Sequence, residues 1–157
     1  MTRPTEADIR AKSARNRQAH AKARVPKEAV GLIQQGSRMI TLDLPWPPTV
    51  NHYWVRTRKG QALSKRAVAY RDEVLLVWAR LRASTQAGKL SVQITAYPPD
   101  NRQRDLDNLL KSSLDAMQHA GVYSNDFDID LLCIRRGAVV AGGKLMVTIY
   151  RVKPETL

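Results

Sequence analysis

Two groups of prolines, Pro45 with Pro47 and Pro48, and Pro98 with Pro99, each end a run of alternating apolar residues. Before the first, Ile40, Leu42 and Leu44 alternate with Thr41 and Asp43; before the second, Leu90, Val92, Ile94 and Ala96 recur at the same spacing. A period of two marks a strand with one face on a core. Proline fixes φ and carries no amide donor, so neither a helix nor a sheet ladder runs on past these points and the chain must leave the sheet.

Between these anchors the pattern changes period. Ser64 is placed to cap a helix whose apolar residues Ala67, Tyr70, Val74, Trp78 and Leu81 recur at helical spacing until the polar stretch STQAGK. The preceding NHYWVRTRKGQA, with a glycine among aromatics and cations, reads as a surface loop. After Pro99, Leu106, Leu109, Leu110, Leu114 and Met117 form the stripe of a second helix, with Asp105 at its N-cap and Gly121 as its C-terminal cap. IDLLCIRRGAVV and GKLMVTIYRV read as two strands joined around Ala141, Gly142 and Gly143, the pattern of a hairpin. The order strand, helix, strand, helix, strand, strand predicts an α/β (α+β) domain of two layers, a mixed sheet of about four strands with two helices.

At 157 residues the chain holds one such domain, assigned to 38–157, preceded by an appendage over 1–37 that is rich in Ala, Arg, Lys, Gln and Ser. The net charge is +12, of which residues 1–37 carry +5 and the remainder +7. Val30, Leu32 and Ile33 are the appendage's one short apolar patch, too little to offset ordering entropy, so the segment is expected to be mobile. A basic surplus spread over both parts makes a polyanion the leading class of partner. No apolar run approaches the roughly 20 residues that span a bilayer, and the N-terminus lacks the apolar middle of a secretory signal. The single Cys133 permits no intrachain disulfide and fits a reducing cytoplasm.

Against that background the acids are concentrated. Seven of the eleven acids after residue 37 lie between Asp100 and Asp130. Asp105 and Asp107 stand at the start of the second helix, where the dipole and unpaired amides favour them as caps, yet two close carboxylates are relieved most directly by a cation. Asp126, Asp128 and Asp130 follow in alternation, on one side if the segment is extended. DFDIDL is not a calcium-binding EF-hand loop, because Leu131 stands where glycine is required and Gly137 where the closing glutamate belongs. Carboxylates from a helix start and a distant loop suit Mg²⁺, with Mn²⁺ as an alternative, chemistry that activates water against a phosphodiester. Lys111 follows Asp107 by four residues and either orients a carboxylate, contacts the phosphate, stabilises developing charge or forms an ordinary helix salt bridge. His20, His52 and His119 are scattered and give no zinc spacing, and neither a G-x-S-x-G elbow nor a Walker loop occurs.

Several separated segments, in order, resemble the RusA family of endodeoxyribonucleases, which resolve four-way (Holliday) junctions. LPWPPTVNHYW at 44–54 resembles that family's opening strand and proline turn, and AYRDEV at 69–74 its first helix. PDNRQRDLDNLLKSSLDAMQHAGVYSND at 99–126 resembles its signature, and GGKLMVTI at 142–149 its last strand. The resemblance implies that Asp105, Asp107 and Asp126 are catalytic acids holding Mg²⁺, that Lys111 is the essential lysine, and that the protein is a homodimer, bacterial or phage-encoded. The family has paired acids where Asn125 precedes Asp126 here, and frequently Gln where Asp128 stands.

The expectation is therefore a Mg²⁺-dependent endonuclease that resolves four-way junctions by paired nicks in recombination and repair. The alternatives are a metal nuclease for another branched substrate and a branched-DNA-binding protein with weak or no catalysis. Arg56, Arg58, Lys59, Arg102 and Arg104 are candidate phosphate contacts, and Trp46, Tyr53, Trp54 and Phe127 are candidates either for stacking on unpaired bases or for packing.

Overall fold

A computed structural model describes residues 39–152; the basic segment 1–37, with its expected mobility, lies outside the described residues. Its elements are β1 (Ile40–Pro45), a 3₁₀ turn (Val50–His52), β2 (Trp54–Thr57), β3 (Gly60–Leu63), α1 (Lys65–Leu81), β4 (Leu90–Tyr97), α2 (Asp107–His119), a second 3₁₀ turn (Asp126–Asp128), β5 (Ile129–Arg136) and β6 (Lys144–Arg151). The predicted order of strands and helices is present in full. The segment read as a surface loop instead forms a small exposed ribbon, β2 paired antiparallel with β3 from Trp54↔Leu63 to Thr57↔Gly60. Gly60, at φ +119, allows its tight reversal.

The main sheet has the order β1-β6-β4-β5. β6 is antiparallel to both β1 and β4, whereas β4 and β5 run parallel. The expected hairpin of β5 with β6 is thus absent, because β6 inserts between β1 and β4. Burial explains the choice. Leu145 to Tyr150 of β6 are buried without interruption, as a central strand requires, while β5 carries the half-exposed pattern of an edge. Pro45 belongs to β1, opposite Lys144, and is tolerated there because β1 is the other edge.

Alternate strand residues form the core with both helices. Ile40, Leu42, Leu44, Leu90, Val92, Ile94, Leu145, Val147 and Ile149 gather with Tyr70, Val74 and Trp78 of α1 and Leu109, Ala116 and Met117 of α2. Ser64 caps α1 as expected, its Oγ accepting from Ala67 N at 3.1 Å. Leu81, expected in the buried stripe, is 44% exposed, since α1 ends there and Arg82 turns left-handed at φ 51. Gly121 ends α2 in a left-handed conformation, with its own N–H donating to Gln118 O and that of Val122 to Met117 O.

The connection from β5 to β6 crosses the end of β4, where Gly137 N donates to Ala96 O and Val140 N to Pro98 O. The approach is close: a Cβ on Gly137 would stand 2.7 Å from Tyr97 Cδ1 and 3.1 Å from Thr95 Cγ2. Gly137→Ala is expected to cost about 1–3 kcal/mol of stability through this overpacking. Urea unfolding measures it, and a loss below about 0.5 kcal/mol, the range of a neutral surface change, would mean that the Tyr97 ring swings aside freely.

Candidate active site

α2 is the crossover that a parallel β4–β5 pair requires, and it carries Asp107 and Lys111. It begins at Asp107, one residue later than an N-cap at Asp105 would place it. The N-cap is Leu106, already helical at φ −69 and ψ −35, so Asp105 caps nothing and belongs to the preceding loop. That loop is braced from elsewhere: Arg104 grips Asp100 with Nη1 to Oδ1 at 2.6 Å and Nη2 to Oδ2 at 2.9 Å, and Arg136 Nη2 donates to Arg104 O at 2.5 Å. Asp107 Oδ1 accepts from Asn108 N at 2.9 Å. Both carboxylates remain exposed at the positive end of the helix dipole.

Two turns into α2 the pairing differs from expectation. Lys111 Nζ lies 2.7 Å from Oδ1 of Asp115, four residues onward, rather than on Asp107. Asp115 is sheltered, its side chain 12% exposed against 58% for Lys111. The hydrogen bond to Asp115 holds the Lys111 ammonium above the ordinary lysine range, against partial desolvation, and Asp126 adds to it. Asp107, Lys111 and Asp115 stand at i, i+4 and i+8, so they form one stripe about 12 Å long.

Asp126 approaches this stripe from the 3₁₀ turn before β5. The turn, and not an extended strand, holds Asp126 to Asp128, so the expected alternation of Asp126, Asp128 and Asp130 on one side does not occur. Asn125 caps the turn: its Oδ1 accepts from Phe127 N at 3.0 Å and its backbone oxygen from Asp128 N at 3.0 Å. A residue that departs from the resembled pattern has here a conformational role. Asp130, already in β5, pairs with Lys89 at 3.0 Å.

Asp126 Oδ1 is buried and has no hydrogen-bond partner. Tyr123 lies beside it, but the single Tyr123 hydroxyl proton is donated to Leu114 O at 2.9 Å. Burial pushes the Asp126 carboxyl above its ordinary range and Asp115 reinforces the shift, while Lys111 and the neighbouring Tyr123 hydroxyl oppose it. A buried carboxylate oxygen without a partner, with a second acid, Asp115, beside it, is the hard-donor chemistry that a divalent cation takes while keeping most of its waters. Among the described residues no three Asp, Glu, His or Cys side chains gather closely enough to hold an ion by themselves. The structure thus brings Lys111 and Asp126 together with Asp115, and leaves Asp105 and Asp107 at the helix start. Asp115 escaped the sequence reading, although its i+4 spacing from Lys111 was a visible signal.

Cations flank the acids in two places. A cleft of about 590 Å³ is lined by Asp105, Arg102, Arg104 and Arg136. Arg104 is engaged by Asp100, which it holds down to about pH 2, and stands 6.0 Å over the Trp46 ring, so its guanidinium serves the loop first. Arg102 is exposed, and Arg136, which the sequence reading omitted, faces the same cleft. Arg56, Arg58 and Lys59 lie exposed on β2 and its turn. Among the aromatic candidates, Tyr53 is fully buried and Trp46 packs on the core, whereas Trp54 is 41% and Phe127 79% exposed. The Phe127 ring has Lys89 Nζ 4.8 Å from its centroid.

Comparison with known proteins gives a consistent result. The family described as Endodeoxyribonuclease RusA matches residues 45–150. A crossover junction endodeoxyribonuclease of Enterobacteria phage HK97 is 36% identical over 107 residues, covering 68% of this chain and 89% of the relative. Its counterpart in Enterobacteria phage 82 is 35% identical over 115 residues, 73% and 96% of the two chains. That of Escherichia coli strain K12 is 34% identical over 116 residues, 73% and 97%.

The raised Asp126 carboxyl has a consequence for stability. Between its unfolded value near 4 and its higher folded value, the folded state holds more proton, so without divalent cation stability falls as pH rises through that window. Asp126→Asn removes this component and is expected to be the more stable protein at neutral pH. Urea unfolding in chelator across acidic to neutral pH tests it; a difference between the two proteins that stays constant with pH would contradict the assignment.

Proposed function

This chain belongs to the RusA family of endodeoxyribonucleases, and from that premise we propose that it cuts four-way DNA junctions by paired nicks, in recombination and repair, with Mg²⁺ or Mn²⁺ as cofactor. The observation that carries the reading is the partnerless buried Asp126 oxygen in the electrostatic neighbourhood of Lys111 and Asp115, within the acid-rich segment of an otherwise basic chain. Asp105, Asp107 and Asp126 are the side chains assigned to hold the metal. Bound there, the ion would supply polarisation of the phosphodiester and a lowered pKa for the attacking water.

The chain's own groups do the rest. Lys111, an exposed ammonium held by a sheltered acid, is placed to stabilise charge developing on the phosphate. Arg102 and Arg136 in the cleft beside Asp105 neutralise flanking phosphates, and Arg56, Arg58 and Lys59 extend that track along the ribbon. Phe127, exposed next to Asp126, is the aromatic best placed to meet an unpaired base, with Trp54 second; burial assigns Tyr53 and Trp46 to packing.

A junction has two opposed strands to nick, and a homodimer presents two sites with matching symmetry. Val68, Leu75 and Leu76 lie on one side of α1, opposite its core stripe, and are 45%, 42% and 55% exposed. They are the surface assigned to the second copy. Light scattering without DNA is expected to give about twice the 17.7 kDa chain mass, and Leu75→Glu with Leu76→Glu to return it to one chain. A wild-type monomer at micromolar concentration would remove the dimer from the proposal.

Cleavage tests the activity itself. Purified protein is incubated with a synthetic four-way junction, a flap and a linear duplex, with and without Mg²⁺. Metal-dependent symmetrical nicking of the junction alone is expected. Asp105→Asn, Asp107→Asn and Asp126→Asn should each abolish nicking with junction binding intact or tighter, since they remove negative charge facing a polyanion. Lys111→Met should retain the helix and lower turnover by about 10²-fold or more. Near-normal nicking by any two of the aspartate variants would defeat the site assignment, and preferred cutting of the flap would redirect the substrate.

A further inference from the structure

The Lys111–Asp115 pair has the spacing of an ordinary helix salt bridge, which between exposed groups is worth only a few tenths of a kcal/mol. Three features set it apart. The acid end is sheltered while the ammonium is exposed, so the pair is anchored at one end. The Lys111 ammonium lies in the field of a second carboxylate, Asp126, yet its hydrogen bond goes to Asp115 and the buried Asp126 oxygen stays without a partner. Finally, the Tyr53 hydroxyl, which accepts from Arg71 Nε at 2.9 Å, also lies in the field of both Asp115 and Lys111.

A free lysine side chain beside an unpartnered carboxylate would close on it, since each satisfies the other's charge and the flexible stem imposes no fixed geometry. That closure would occupy the oxygen assigned to the metal and withdraw the ammonium from the phosphate. We propose that Asp115 is a positioning residue that holds Lys111 off Asp126, keeping the Asp126 oxygen open for a divalent cation and the ammonium available to the substrate. The inference rests on the metal-dependent function proposed above.

Its predicted signature is a specific reversal. Asp115→Asn releases Lys111 onto Asp126 and weakens Mn²⁺ binding, read by calorimetry or the electron paramagnetic resonance of free Mn²⁺, by about 10-fold, as loss of a group supporting a metal ligand does. Adding Lys111→Met to that variant removes the competing ammonium and restores Mn²⁺ affinity, while Asp115→Glu alone retains it. In cleavage, Asp115→Asn lowers kcat with the KM for junction little changed. An unaltered affinity in Asp115→Asn, or a defect that Lys111→Met fails to repair, overturns the proposal and leaves Asp115 a structural acid.

A second measurement needs no metal and separates this idea from the proposed function. Trace acetylation of Lys111, followed by mass spectrometry of its peptide, reports whether the ammonium is paired. It should remain protected in Asp115→Asn and become reactive only when Asp126→Asn is added. If the wild type neither binds Mn²⁺ nor cuts junctions, the functional reading fails while this protection pattern still decides the pairing. Full reactivity in Asp115→Asn alone shows that Lys111 does not move to Asp126, and sinks the inference.

Discussion

The parallel pairing of β4 with β5 is the constraint on which the rest of this structure depends. Strands that run in the same direction cannot be joined by a tight turn, so the chain between them must travel back along the sheet, and α2 is that return path. The loop after β4 then lies at the helix N-terminus, with Asp105 and Asp107, and the turn before β5 brings Asp126 to the helix flank at Lys111 and Asp115. The same pairing makes β5 an edge and leaves the other side of β4 to β6, whose uninterrupted burial holds the sheet's centre. One topological choice therefore builds the core and assembles the site.

The site inverts the charge of its surroundings. A chain of net charge +12 gathers seven of its fourteen acids between Asp100 and Asp130, and they meet different fates. Asp100 is consumed by Arg104 and Asp130 by Lys89, both in geometry that braces loops. Asp115 is consumed by Lys111; Asp126 and Asp130 each keep one buried oxygen unsatisfied, but Asp130 is paired with Lys89 through its other oxygen, whereas Asp126 forms no ion pair among the described residues. Buried polar atoms are almost always paired, so an exception beside a lysine and among other acids is where the proposed site is sought. Arg104 shows the converse: a cation that looks like a phosphate contact in the sequence is spent on holding its own loop, while Arg136, from another strand, enters the cleft.

The strands before the prolines, the Ser64 cap, both helix stripes and the left-handed turn at Gly121 were all legible in the residues, because each is a local matter of period, φ or side-chain hydrogen bonding. The misreadings share one cause. A ribbon at Trp54–Leu63 looked like a loop because all its outward residues are polar, aromatic or small and no alternation marks it. Two strands separated by glycines looked like a hairpin because nothing local reports that β6 pairs elsewhere. Asp105 looked like a cap because its neighbours suit one, whereas Arg136, reaching from β5 to Arg104 O, together with the Arg104–Asp100 pair holds the loop outside the helix.

What the sequence determined by itself was therefore the set of elements, the family they belong to, and the identity of the clustered acids and their lysine, since proline, glycine and apolar period act within a few residues. The tertiary structure decided which strand lies beside which, which carboxylate the Lys111 ammonium takes, and which oxygen is left open. Those outcomes turn on burial and on charges that meet from separate elements, Asp126 against Lys111 and Asp115, and a pairwise electrostatic choice has no sequence pattern until the fold has set the distances.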